Sequence, residues 1–347
     1  MKMIYPRRSY MAGVAVAALC SLSAHAVLAQ EKPGEGVTIE MARASWDTGW
    51  FPAEIYKQLL EELGYSVKGP ITLDNPAFYQ AVGQGDLDLW VNGWFPLHNT
   101  YEEVFSQGAE KIGYVAEGGA LQGYLVDKKS AEQYGIETIA DFKKEEIRTA
   151  FDRNGDGRAD LVACPPGWGC EEVIEHHLDA YELRETLNSI KAGYAASMAD
   201  AIAAHQQGEP ILFYTWTPNW TVDALKPGED VVWIEVPHTD LPEDQKELED
   251  ATTLSDVTGC VADPCNLGFP ANDIRPVASS AFLKENPAVA ALLREVTIPI
   301  GDIYAQNAEM NGGADSPEDI ARQASEWIEK NQDEVDAWLE RARAAAG

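Results

Sequence analysis

The stretch "GVTIEMARASWDTGWFPAEIYKQLLEELGYSVKGPITL", residues 36–73, decides the fold. Gly36–Trp46 reads as a strand. Pro52–Tyr65 reads as a helix with apolar residues at Ile55, Leu59, Leu60 and Leu63, ended by Gly64, and Tyr65–Leu73 returns to extended structure. Outward from it the grammar repeats. "PAFYQAVGQGDL" is a second short helix, and "LDLWVNGW" is a strand running into a loop. "GYLVDKK" is a strand, "SAEQYG" and "TIADFKK" are short helices, and "EEVIEHHLDAYEL" and "SMADAIAAHQQGEP" are longer ones. "ILFYTW" and "VVWIEV" are strands, and "RPVASSAFLKENPAVAALLREV" onward adds a strand and a set of helices. Strands alternating with helices predict an α/β architecture. Two such units make a two-lobed protein, with 30–126 plus 237–347 as the first lobe and 127–236 as the second. A cleft between lobes and the carboxyl ends of strands are where a small-molecule site belongs.

The first 29 residues stand apart. They hold Lys2, Arg7 and Arg8, an apolar run from Met11 to Ala18, the small-residue stretch "SAHAVLAQ", and no Asp or Glu. This is the pattern of a secretory signal peptide, cleaved after Ala26 or Ala29. The apolar run is short of the roughly 20 residues of a membrane span. Arg7 and Arg8 also resemble a twin-arginine signal, and Cys20 a lipoprotein site, although Leu19 stands where that site has a small residue. A soluble exported protein in the periplasm is expected.

The chain of 347 residues carries a net charge of −31. Loss of Lys2, Arg7 and Arg8 with the leader moves this to −34. So negative a chain repels phosphate backbones, which argues against nucleic acid as a partner. Four cysteines remain after cleavage. In an oxidising compartment the close pairs Cys164–Cys170 and Cys260–Cys265 read as two local disulfides. Zinc is the rival reading, but the spacings are not those of a ribbon or finger.

Ten tryptophans are present, and three fall at element ends beside Pro and Gly: Trp94 in "GWFPLH", Trp168 in "PGWGC" and Trp216 in "TWTPNW". These segments read as turns. The bland reading is core packing for each ring. Together they suggest an exposed aromatic cage for a quaternary ammonium group, whose charge is drawn to the negative ring faces. His98 offers a hydrogen bond to an anionic group. The backbone N–H groups after Trp168 open the next helix, where unpaired amides and the helix dipole favour a carboxylate.

"NGWFPLHNTY", "LQGYLVDKKSAEQYGI", "DRNGDGRADLVACPPGWGCEE", "FYTWTP", "LKPGEDVVWIEVP" and "DIYAQNAEMNGG" together resemble the periplasmic glycine betaine/proline betaine binding proteins of ABC importers. The resemblance covers most of the mature chain. It implies a two-lobed periplasmic binding protein of the type II kind, which closes over a betaine and delivers it to a membrane permease. It implies Trp94, Trp168 and Trp216 as cage walls, His98 with the main-chain amides of Gly169 and Cys170 as the carboxylate site, and a disulfide bracketing the loop. Pro165, Phe95 and the second cysteine pair depart from the family pattern and bear on ligand preference. Trp46, Trp50 and Trp90 read as rim or packing.

Asp152, Asn154, Asp156 and Gly157 match the start of a calcium loop, but Ala163 occupies the twelfth position where a bidentate Glu belongs; Asp160 keeps an ion open beside a structural turn. Glu172 and His176 stand at i,i+4 on a helix with His177 alongside, but no third metal ligand is evident and the segment reads as a solvated helical face. Arg275 is a reserve carboxylate clamp. No nucleophile elbow, Walker loop or HExxH motif is present, so no enzyme, no cofactor and no metal are expected, and the chain is expected to be a monomer. Two alternatives remain: a receptor for choline or another quaternary amine, and a secreted hydrolase with an aromatic sugar subsite, which requires facing carboxylates.

Overall fold

The helix Trp50–Glu62 shows how the sequence builds this molecule. It buries Phe51, Ala53, Ile55, Tyr56, Leu59 and Leu60 on one face, and each fully buried aliphatic side chain contributes about 1.5–3 kcal/mol. Gly64, at φ +93°, ends it. There the Gly64 N–H bonds the Glu61 carbonyl at 2.9 Å and the Tyr65 N–H bonds the Leu60 carbonyl at 3.1 Å, a Schellman closure that satisfies carbonyls left over at the helix end. The chain is thereby aimed straight into its next strand.

The computed structural model describes residues 32–347, with Met1 and Met3. The signal-peptide expectation for residues 1–29 otherwise lies outside the described residues. The strands are β1 (Thr38–Ala44), β2 (Ser66–Leu73), β3 (Leu89–Phe95), β4 (Ala109–Lys111), β5 (Ala116–Asp127), β6 (Ala159–Val162), β7 (Leu187–Ile190), β8 (Leu212–Thr217), β9 (Val231–Ile234), β10 (Thr253–Leu254), β11 (Cys265–Asn266) and β12 (Asn272–Ser279). The main sheet runs β2-β1-β3-β12-β5-β8-β6-β7, with β4 beside β12 and β9 beside β5. Pairing is parallel from β2 through β1 to β3 and again from β8 through β6 to β7. It is antiparallel where β12 meets β3 and β5 and where β5 meets β8. The long β5 therefore joins two parallel strand sets, each with helices between its strands. All seven residues of β3 are buried, as a strand covered on both faces requires. Five short strands, β4, β6, β7, β10 and β11, go beyond the sequence expectation, because two to four residues carry too little pattern to read.

Two expectations are corrected here. Trp94 and Trp216 are not in turns: each is the penultimate residue of a strand, β3 or β8. Strand pairing of Trp94 to Ile274 and of Trp216 to Gln122 carries the ladder past each ring. Only then do Pro96 and Pro218, which have no N–H to donate, stop it. Nor is the histidine pair on a solvated face: His177 is buried and meets the Tyr124 hydroxyl at 2.9 Å, while His176 pairs with Asp240 at 2.7 Å.

Candidate binding site

The pocket lies where the ends of β3 and β8 meet the start of the helix Gly169–Ala180. Trp94, Trp168 and Trp216 all line it, as do His98, Gly169 and Cys170. All six sequence-predicted ligand residues, from three separate segments, thus come together. A fourth indole, Trp46, lines it too. Its ring centroid is 5.4 Å from that of Trp168, which is 5.5 Å from that of Trp216, both edge-to-face. The cage is not exposed. Trp94 and Trp216 are each 4% accessible and Trp168 is half-buried, since the rings wall one another off from solvent. Edge-to-face packing suits the ring quadrupoles, and exclusion of water strengthens the attraction of the ring faces for a cation.

Indole N–H groups need acceptors once buried. Trp46 and Trp94 both donate to Asn92 Oδ1, at 2.8 and 3.0 Å. Trp168 donates to Ser45 Oγ at 3.1 Å and Trp216 to Thr48 Oγ1 at 2.9 Å. The remaining early tryptophans stay outside: Trp90 is fully buried packing, and Trp50 donates to the Ala44 carbonyl beneath the Arg43 guanidinium.

His98 is 2% accessible, and burial lowers its pKa to about 3, so the ring is neutral. The Trp94 backbone N–H, which can only donate, reaches Nδ1 at 3.1 Å, and the Tyr79 hydroxyl is 2.7 Å from the same nitrogen. Nδ1 is therefore an acceptor and the proton sits on Nε2. Nε2–H is the group His98 presents, 3.0 Å from the side-chain amide of Asn75, which also lines the pocket and must turn its oxygen to that proton.

Cys164 and Cys170 are joined by a disulfide with Cα atoms 6.0 Å apart, and Cys260 and Cys265 by another at 6.2 Å. The first closes the loop that carries Trp168, and Gly167 takes the turn at φ +88°. No side chain caps the helix Gly169–Ala180, so its first N–H groups stay available at the pocket. Gly169 is held tight: a Cβ there would lie 3.0 Å from His98 Cδ2 and 3.1 Å from Leu97 Cγ. The glycine lets the helix start approach the imidazole.

Arg275 is not a clamp. Its Nε donates to the Gly113 carbonyl at 3.0 Å and its guanidinium lies over Tyr114, because its strand position turns it away from the pocket. The calcium-like loop is closed on itself. Asp152 accepts from the N–H groups of Gly155, Asp156 and Gly157, and Asp160 accepts from Arg153 and Asn154. Among the described residues no cluster of three or more His, Cys, Asp or Glu is placed to hold a metal.

Gln122 and Tyr214 also line the pocket, and the Tyr214 hydroxyl donates to Gln122 Oε1. Neither carries a sequence signal, since only the register of β5 on β8 brings them there. Trp46 did carry one: it is a tryptophan just past the end of a strand, two residues beyond β1.

Residues 37–330 match the substrate binding domain of ABC-type glycine betaine transport systems. The chain belongs to that family. It is 40% identical over 343 residues to the glycine betaine/proline betaine-binding periplasmic protein of Escherichia coli, covering 98% of this chain and 99% of that one. The protein of the same description from Salmonella typhimurium is 39% identical over 332 residues, covering 94% and 97%. The fold matches that of lactococcal OpuAC crystallised closed with glycine betaine, with a TM-score of 0.66 at 20% identity, covering 87% and 99%. Among the described residues no helix is long and apolar enough to cross a membrane.

Proposed function

We propose that this chain is an extracytoplasmic receptor that captures glycine betaine or proline betaine and hands it to the membrane permease of an ABC importer, for osmoprotectant uptake. The observation that carries the reading is a pocket with two chemically opposite ends. Indole faces suit a methylated ammonium, and beside them the neutral His98 Nε2–H and the uncapped amides of Gly169 and Cys170 suit a carboxylate. The relatives from Salmonella typhimurium and Escherichia coli are glycine betaine/proline betaine-binding proteins.

Binding is non-covalent, and the protein is a receptor and not an enzyme. Among the described residues no Asp or Glu lines the pocket, which disfavours a hydrolase. Residues 30–126 with 237–347 form one lobe and 127–236 the other, and ligand contacts from both favour the closed form. The receptor works in the periplasm after loss of its leader, as a monomer, and at the net charge of −34 left once Lys2, Arg7 and Arg8 are gone it does not engage nucleic acid. Calorimetry with glycine betaine, proline betaine, choline and proline tests this. The betaines are expected to bind tightest; choline binding tighter than either betaine would transfer the site to a carboxylate-free amine.

A further inference from the structure

Two of the pocket's indoles are anchored by residues far away in the sequence. Trp168 donates to Ser45 across a separation of 123 residues, and Trp216 to Thr48 across 168. Ser45 and Thr48 flank Trp46 in the short segment between β1 and the helix Trp50–Glu62, and neither lines the pocket. The anchored rings belong to the other strand set, on the loop after β6 and at the end of β8.

Thr48 is fully buried, and its hydroxyl is a junction. Besides accepting from Trp216, it lies 2.9 Å from the Pro218 carbonyl and 3.2 Å from Asn307 Oδ1. A hydroxyl has one proton to give and lone pairs to receive, so one of those two oxygens takes the proton while the indole N–H is received. Asn307 is itself held, its amide donating to Gln306 Oε1 at 3.0 Å, and Gln306 donating to Gln323 Oε1 at 2.9 Å. This buried network fixes Thr48 from behind. Ser45 is fixed in its turn by Asp74, to which its hydroxyl donates.

We propose that the Ser45 and Thr48 hydroxyls form a two-point latch that holds the Trp168 and Trp216 rings closed over the bound solute. Both are positioning residues that act through the rings. If the strand sets part, each indole N–H exchanges its hydroxyl for water, so the bond stabilises the closed arrangement by what a buried, unpaired donor would cost there. That difference biases the closed population and slows ligand release. The inference rests on the betaine-binding reading above.

The test is stopped-flow measurement of glycine betaine association and dissociation, alongside equilibrium calorimetry. Thr48→Val keeps the shape and removes the hydroxyl. It is expected to raise the dissociation rate about tenfold with little change in association, and Thr48→Ser is expected to restore it. A double-mutant cycle separates the latch from a general packing role. Trp216→Phe weakens binding by itself, and in that background Thr48→Val should add nothing. Ser45→Ala, at a half-buried position that folding tolerates, should raise dissociation about threefold and lose that effect beside Trp168→Phe. Unchanged dissociation in both hydroxyl variants, no rescue by Thr48→Ser, or an undiminished Thr48→Val effect beside Trp216→Phe overturns the latch. If wild type itself fails to bind glycine betaine, the function falls and the latch with it; if wild type binds and the variants match it, only the latch falls.

Discussion

His98 shows how much one buried nitrogen decides. An imidazolium clamp would tighten on a carboxylate as pH falls through the ordinary histidine range near 6.5. With its pKa pushed down to about 3 by burial, His98 stays neutral and donates through Nε2 throughout. Glycine betaine affinity is therefore expected to stay flat from about pH 8 to about pH 5, as titration calorimetry across that range will show. His98→Ala is expected to weaken binding about tenfold or more, because it removes a buried donor to a charged group. Trp168→Ala is expected to cost on the order of 1 kcal/mol or more through the lost ring face; unchanged affinity would withdraw that ring from the cage. The sequence did carry these residue types, since an indole between Pro and Gly offers little else to pack against. It did not carry Gln122 or Tyr214, which reach the pocket only through cross-strand register.

The helix Gly169–Ala180 begins where the pocket needs donors, and its first residue is glycine for lack of room. Gly169→Ala is expected to push the helix start away from His98 and weaken betaine binding severalfold, with the far-ultraviolet circular dichroism unchanged. A contrasting case is the helix Pro317–Lys330, whose cap Ser316 accepts from the Asp319 N–H at 3.1 Å. Ser316→Ala is expected to lower stability by about 1 kcal/mol in chemical denaturation and to leave binding untouched, because no residue of the first turn of that helix lines the pocket. Both elements were legible beforehand in part. Gly64 marked a helix end correctly, whereas the turns expected at Trp94 and Trp216 began a residue or two late, after strand pairing had run its course.

For the whole molecule, two buried histidines set an acid limit. His98 and His177 are both held neutral, each with a pKa of about 3, by burial. The unfolded chain protonates both near pH 6.5 while the folded chain does not, so the unfolded state binds more protons and stability falls as pH drops. Each contributes a slope approaching 1.4 kcal/mol per pH unit between the two values. Burial raises the pKa values of Asp47, Asp88 and Glu172; these carboxyls take up protons more readily when folded and oppose the trend only lower down, near the carboxylate range. The melting temperature is therefore expected to fall between about pH 6.5 and about pH 5. His177→Gln should reduce that slope by about half, measured by scanning calorimetry without ligand.

What the sequence determined by itself was local: the alternation of strands and helices, the Gly64 stop, the two disulfides closed over six and five residues, and the three rings beside Pro and Gly. Such features need only neighbours along the chain, and their chemistry is written in residue type and spacing. The tertiary structure decided everything that depends on distant segments meeting. It brought Trp46 into the cage, turned Arg275 away, buried His98 deeply enough to keep it neutral, and set Thr48 behind Trp216. Those outcomes follow from sheet register and burial, which belong to the packed molecule and not to any one stretch of it.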